Sequence, residues 1–517
     1  MSENIGAQEE PSGEQFSRDE PFPEQEELET SRRRPFTLRG VAAAGGRAAV
    51  GLVGIGVAAV TIAASMVLPL PTVQVSAPDT VITPVPTAQQ LVCPGAILRL
   101  ASDSGQDATS ASGIGRAEVR TGSSSGSVDS VPAAVSDAGT GASEAAPTII
   151  STPPDAADPT QRILLSGAQS QQVDSGDSVG LAAADCGIAF GDSWLVGGAT
   201  TVGRTTLLTL TNPTEVAATV DLQLFGETGA ISAPGTRGII VPASGQRVLS
   251  LAGFQPGLVS PVVHVTSTGG QVHATLQQSV LRGLAPGGID IIESTSAPAT
   301  VTVIPGVVVT DPEAVEVMRS SSTASEVLDD FATVLRLFAP GEGTANVTVS
   351  VIPEDGAASG TSFDYQLEGG LVTDVPFQEL AAGTYTVTIE SPTAALASVR
   401  VTSAAAGATD FAWFTAAQPL NSVAQFTAST GPAPTLHLYN PTAVAAALVL
   451  TPLGGTDVSV AVPARGSATV PVTPGTSYGL SGFDQLYGAV SLSGGGMLAR
   501  YTVHPPGVGS SPITVYP

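Results

Sequence analysis

Three stretches of the chain repeat one order of apolar and polar positions. Each opens with an alternating apolar run that ends at a proline turn: Leu207-Leu208-Thr209-Leu210-Thr211-Asn212-Pro213-Thr214, Val334-Leu335-Arg336-Leu337-Phe338-Ala339-Pro340-Gly341, and Leu436-His437-Leu438-Tyr439-Asn440-Pro441-Thr442. A second alternating run follows from Ala218, Ala345 and Ala445, then a Val-Pro step at Val241-Pro242, Val375-Pro376 and Val462-Pro463. Each unit closes on a hairpin-like pair around small residues, from Val262, Tyr385 and Tyr487. Side chains alternate across a strand, so a period of two marks strands with one buried face. Turn signals every 8–12 residues or so and about seven short strands per unit predict a mainly β protein of tandem Ig-like or fibronectin-like sandwich repeats. A half-apolar sheet must bury one face, and a second sheet of the same unit supplies the cover.

A different pattern precedes the repeats. Ala48 to Leu68 is 21 residues without a charge. As a helix it would reach roughly 31 Å, enough to cross a bilayer core. Arg32, Arg33, Arg34, Arg39 and Arg47 flank it on one side, and the next arginine is Arg99. The positive-inside rule therefore places the N-terminus in the cytoplasm and residues 70–517 outside, with the membrane as partner through residues 48–68. Arg33-Arg34-Pro35-Phe36 resembles a twin-arginine export signal, so cleavage and secretion is the competing reading. Pro78 after Val75-Ser76-Ala77 and the length of the run favour an uncleaved single-pass signal anchor.

Composition adds exclusions. Gly (58) and Pro (40) are abundant, aromatics are 4%, and every basic residue is arginine. Net charge is −26, which repels nucleic acid and anionic lipid, so no nucleic-acid partner is expected. Cys93 and Cys186 both follow the anchor, and an even pair in an oxidising compartment predicts a disulfide. The domain reading is a disordered acidic tail with its Arg cluster (1–40), the anchor (41–69), and a stalk plus first β domain (70–200) with a low-complexity insertion at 101–160, part of which reads as mobile. Repeats follow at 201–300, 301–410 (with a linker, whose Pro312–Met318 reads as a short helix or strand edge) and 411–517.

No candidate chemistry survives its context. Gly122-Ser123-Ser124-Ser125-Gly126 has the letters of a nucleophile elbow but lacks the strand-to-helix setting. Gly191-Asp192-Ser193 resembles a GDS-type esterase start, yet no Asp precedes His504 at the required spacing. His264 and His273 are a candidate metal edge across a Thr268-Gly269 turn, although other repeats carry alanine at the second position. His437 and His504 read as structural, Asp329-Asp330 as solvated acids, and Asn212-Pro213 and Asn440-Pro441 as strand-ending turns. No catalytic, cofactor or metal residue is expected, and two cysteines without a His cluster make no zinc site.

Leu91-Val92-Cys93-Pro94-Gly95, Cys186 leading into Ser193-Trp194-Leu195-Val196-Gly197-Gly198, the Leu210-Thr211-Asn212-Pro213 strand end and Tyr501-Thr502-Val503 together resemble an uncharacterised actinobacterial-type family. Its members are large exported proteins with one N-terminal membrane segment and a repetitive β ectodomain. The resemblance implies an envelope location and brings no catalytic residue. The expectation is a non-enzymatic scaffold or binding module for cell-envelope proteins or cell-wall glycan. A glycan-acting or ester-cleaving hydrolase with a cross-domain site and a passive surface stalk are the alternatives.

Overall fold

The computed structural model describes residues 53, 56–57, 80–82, 88–100, 111–135, 146–154, 163–321, 330–356, 360–377, 380–405, 407–507 and 513–515. The acidic tail, the arginines at 32, 33, 34, 39 and 47, and all of the apolar run except Val53, Gly56 and Val57 lie outside them; those three are helical. No helix among the described residues is long and apolar enough to cross a membrane. Thr80–Val515 forms one compact unit.

Three sets of strands, one of nine and two of seven, share one pairing order. The second set shows it most simply: Ala299–Val309, Val334–Phe338, Thr344–Pro353, Thr361–Glu368, Val372–Pro376, Gly383–Ala405 and Ala408–Thr415. The first half of the sixth strand pairs with the first and third strands, and its second half with the second and seventh. The third set repeats this from Leu420–Thr427 to Met497–Thr502, with Ser477–Gly494 as the shared strand. In the first set the shared strand is split into Val262–Gly269 and His273–Arg282 and the fourth into Gly229–Ile231 and Ile239–Val241, and the partners of the shared strand are again the equivalent strands. An immunoglobulin order keeps its two sheets separate; here one strand serves both, which departs from the expected sandwich.

The same sharing corrects the closing hairpins. Val262–Gly269 does not pair with His273–Arg282, and Gly383–Ala405 runs through as one strand of 23 residues. Small residues at those points let a strand pass from one sheet to the other. The hairpin is real in the third set, where Gly494 faces Met497. The alternation itself holds: in Ala218–Gly226, Ala218, Val220, Leu222 and Leu224 are buried while Thr219, Asp221 and Gln223 are exposed. These and the facing strands form one apolar core per set.

The low-complexity stretch is more ordered than expected. Its described parts include the strands Ala111–Gly113, Glu118–Ser123, Asp129–Pro132 and Thr148–Thr152. Small side chains there reflect close packing: a Cβ on Gly122 would lie 2.2 Å from Ser477 Oγ. Gln425 Nε2 donates to the Gly122 carbonyl at 2.8 Å, so this segment is fastened to the third set. Pro312–Ser321 is a helix; Asp311 Oδ1 accepts from Ala314 N–H at 3.0 Å and Pro312 takes the first turn, which needs no donor.

The three sets are not beads. The last strand of each (Ala285–Ile292, Ala408–Thr415, Met497–Thr502) packs with Ser178–Asp185 in a four-strand hub. Each hub strand has a ladder partner on one side only, so its other edge presents unpaired backbone groups. Asp410 answers that need at the centre. Its Oδ2 accepts from Leu181 N–H at 2.9 Å and Leu498 N–H at 3.2 Å, and its Oδ1 from Ile289 N–H at 3.3 Å. One carboxylate thus joins all three other strands. Gly180 (φ +154°) and Gly288 (φ +112°) flank it, and a Cβ on either would approach Asp410 Oδ1 to 2.6 or 2.8 Å. Asp410→Ala leaves three buried donors unpaired. It should lower stability by at least about 3 kcal/mol, given roughly 1–3 kcal/mol per orphaned group. The guanidinium midpoint reads this, with the exposed Asp177→Ala as control; equal midpoints would refute the role assigned to Asp410.

Candidate functional site

A second layer of polar contacts lies against the hub. Glu293, just past Ala285–Ile292, accepts from Asp185 N–H at 2.6 Å through Oε1. Its Oε2 accepts from Thr502 N–H at 3.0 Å and Thr502 Oγ1 at 3.1 Å. Asp185 Oδ2 is 2.6 Å from His504 Nδ1. Asp290 Oδ2 accepts from Trp413 N–H at 2.7 Å, and Trp413 Nε1 donates to Gln278 Oε1 at 2.7 Å. Arg500 donates to the Thr415 carbonyl at 2.7 Å and the Pro305 carbonyl at 3.3 Å.

Burial divides these groups by charge. It pushes Asp410 up to about 7 against the backbone donors that pull it down, and it raises Asp290 and Glu293 well above the carboxylate range. Burial also opposes the ionised Asp185, but the His504 charge and hydrogen bond outweigh it and hold Asp185 low. His504 feels burial in the opposite sense, yet Asp185 raises it to about 9. At neutral pH the arrangement holds an Asp185–imidazolium pair, with Glu293 beside it raised by burial and then by the Asp185 charge. Asp185 and His504 line a small cleft of about 30 Å³ together with Ser166, Gln425 and Tyr501. The Tyr501 hydroxyl is already used, donating to the Thr427 carbonyl and accepting from Ser429 N–H. Ser166 Oγ is spent on Thr427 Oγ1 at 2.8 Å and on Gln425 Nε2 at 3.1 Å.

The other sequence candidates scatter. His264 stacks on Trp194 at 3.9 Å between ring centres and meets Asp192 Oδ2 at 3.0 Å. His273 is buried against Gly187, and burial takes it down to about 4. The two histidines lie on separate strands that do not pair, so they form no metal edge, and no group of three potential ligands occurs among the described residues. His437 is fully enclosed between Glu354 Oε2 and Ser491 Oγ, each at 2.7 Å, where the second and third sets meet. Cys93 and Cys186 form a disulfide, which ties the end of the hub strand Ser178–Asp185 to that of the strand Gln89–Cys93. Ser193 is buried in a strand and Ser124 sits in the bend just after the strand Glu118–Ser123, with no helix immediately after either. Asp330 is no solvated acid: Arg204 Nε donates to it at 2.9 Å. Asp329 lies outside the described residues.

The Asn-Pro turns repeat to the atom. Asn212 Oδ1 accepts from Thr214 N–H and Oγ1, and its Nδ2 donates to the Val216 and Val241 carbonyls. Asn440 does the same with Thr442, Val444 and Val462. The buried acids were missed by motif reading, although a signal exists. In a chain with 12% charged residues, Asp290 stands in Gly-Gly-Ile-Asp-Ile-Ile and Asp410 just before Phe-Ala-Trp-Phe. A lone acid inside an apolar strand needs a partner.

Two outcomes follow. His504 is raised from about 6.5 to about 9, so its stabilisation is complete below pH 6.5 and is lost as pH rises through 9. Wild-type unfolding free energy should fall over that window by on the order of 2–3 kcal/mol; His504→Gln, which does not titrate, should lack the decline. A wild type with level stability from pH 6.5 to 9 would contradict the pairing. Asn440→Ala removes four bonds of a buried turn and should cost about 2–3 kcal/mol by urea denaturation; a loss below 0.5 kcal/mol, roughly that of a neutral surface change, would show that the turn is held by proline alone.

Comparison with known proteins gives little about activity. No curated protein matches. Four solved chains match, among them one described as "Biofilm associated protein - BSP domain", at 12% identity and a TM-score of 0.11, covering 66% of this chain and 64% of that one. The chain therefore spans less than two thirds of that structure. A family of unknown function, DUF5719, matches residues 138–481. That span takes in the hub strand Ser178–Asp185, the first two strand sets and most of the third, and it is well over half of the chain: the protein belongs to the DUF5719 family.

Proposed function

We propose that this protein is a non-enzymatic scaffold or binding module of the cell envelope. It is tethered by residues 48–68, with its β body outside the membrane, and it serves envelope proteins or cell-wall glycan. The observation that carries the reading is the hub. Four edge strands are fastened to one another by buried carboxylates, so the repeats present a single rigid surface instead of a flexible string. The disulfide suits an oxidising compartment, and the acidic charge suits a soluble exterior face. The alternative of a cleaved, secreted form keeps the same body.

A hydrolytic reading draws on one observation, the Asp185–His504 pair at the cleft. The hydroxyls there argue against it, since Ser166 and Tyr501 are committed to hydrogen bonds within the fold.

In-cell crosslinking of the full-length protein, followed by mass spectrometry, tests the scaffold. Reproducible enrichment of particular envelope-building proteins or wall polymer is expected. The reading is wrong if purified protein cleaves wall glycan or an ester panel and His504→Ala or Asp185→Asn abolishes the turnover.

A further inference from the structure

The molecule is strongly acidic, yet three of its arginines converge on one place. Arg204, Arg282 and Arg400 all lie against Asp330. Arg204 donates through Nε to Asp330 Oδ2 at 2.9 Å. Arg282 Nε stands 3.9 Å from the same oxygen, and Arg400 Nη1 donates to the Asp330 backbone carbonyl. The side chains of Arg204 and Arg282 are 9% and 8% exposed, so both are nearly buried, and Asp330 at 19% is the open side.

Arginine grips an oxyanion best through the side-on edge formed by Nε and Nη2. Elsewhere in this chain that edge is used: Arg336 Nε and Nη2 hold the two oxygens of Asp374 at 2.8 and 2.9 Å. In Arg282 the other parts of the group are occupied. Nη1 donates to Thr409 Oγ1 at 2.8 Å, and one face lies 4.3 Å from the centre of the Phe331 ring. The side-on edge is not: Nε and Nη2 are buried without a hydrogen-bond acceptor, as is Nη2 of Arg400. Buried charged donors left in this state are costly.

We propose that Arg282 and Arg400 form a binding site for a single oxyanion group, either a carboxylate or a tetrahedral phosphate or sulfate, seated on the side-on edge of Arg282. Phe331 and Thr409 fix the Arg282 plane, while Arg400, held over the Phe411 ring at 4.6 Å, supplies a further donor. Burial and then the Arg400 charge bring Arg282 down to about 10, and a bound anion would relieve both. The site recognises one anionic group. The acidity of the rest of the molecule disfavours a polyanion, so the ligand is a small anion or the charged end of a larger neutral chain.

Thermal unfolding of the full-length protein tests this, with sodium phosphate, sulfate or acetate titrated in at ionic strength held constant with chloride. At least one of the three should give a saturable rise of about 1–3 °C. Acetate alone marks a carboxylate site, phosphate or sulfate a tetrahedral one. The rise should vanish in Arg282→Gln and Arg400→Gln and persist in the exposed Arg237→Gln. No saturable rise with any anion, or a rise unchanged in Arg282→Gln, overturns the proposal. Should the arginine variants fail to fold, tungstate and 4-bromobenzoate soaked separately into crystals of the native protein decide: anomalous density from either within hydrogen-bond distance of Arg282 supports the site, and the absence of both there refutes it.

Discussion

An edge strand buried in a protein interior carries backbone donors that water cannot reach, and the whole body of this molecule rests on how four such edges are satisfied. Ordinary ladders would have merged the four sheets into one. Instead, carboxyl groups on one strand accept the N–H groups of the next: Asp410 reaches three strands, Glu293 two and Asp290 one. A side-chain acceptor can span strands whose directions do not match, which a ladder cannot. It also requires close approach, and Gly180 and Gly288 provide it where any other residue would collide with Asp410.

Burying carboxyl groups is expensive, and a well-packed apolar centre is often as stable or more so. What the polar hub adds is register. Asp410 fits only where three N–H groups converge, so a one-residue slip of any hub strand would leave both the acid and its donors unpaired. The same logic recurs at the junctions further out. Arg336 of the second set donates to the Gly198, Val259 and Pro261 carbonyls of the first, and the Glu354–His437 pair joins the second set to the third. Charged groups in this chain mark the places where repeats meet, while each apolar core is centred on one repeat and takes in a few hub residues from its neighbours, such as Leu181, Leu498 and Phe411.

This division explains what the sequence discloses. Local rules reach the strands: alternation in Ala218–Gly226, the turns at Asn212-Pro213 and Asn440-Pro441, and a disulfide from two cysteines all follow from near neighbours or simple pairing. They do not reach the hub, because its partners lie far apart. Asp185 meets His504 across 319 positions, and Asp410 meets Leu181 across 229. Nor do they separate a hairpin from a strand that changes sheets. Gly269-Gly270 looks like a turn, and its backbone does permit one, but the flanking strands have better partners elsewhere. The Ala, Ser and Gly bias of 101–160 does not itself separate mobility from packing, and in its described parts small residues mean close contact, as Gly122 shows against Ser477.

The hub also bears on the role of the repeats. In a stalk of independent domains, each repeat buries its own core and meets its neighbours through a modest interface, so reach grows with repeat number. Here each set contributes its last strand to a common centre, and acids on or just past that strand complete the bonding of the other sets. Removing one set would expose the edges of the remaining strands and strand Asp410 or its donors in the interior. The number of repeats is therefore fixed by closure of the centre, as in a ring, and not by length. On the proposed reading, a body of this kind would hold partners at constant separations instead of spanning a distance.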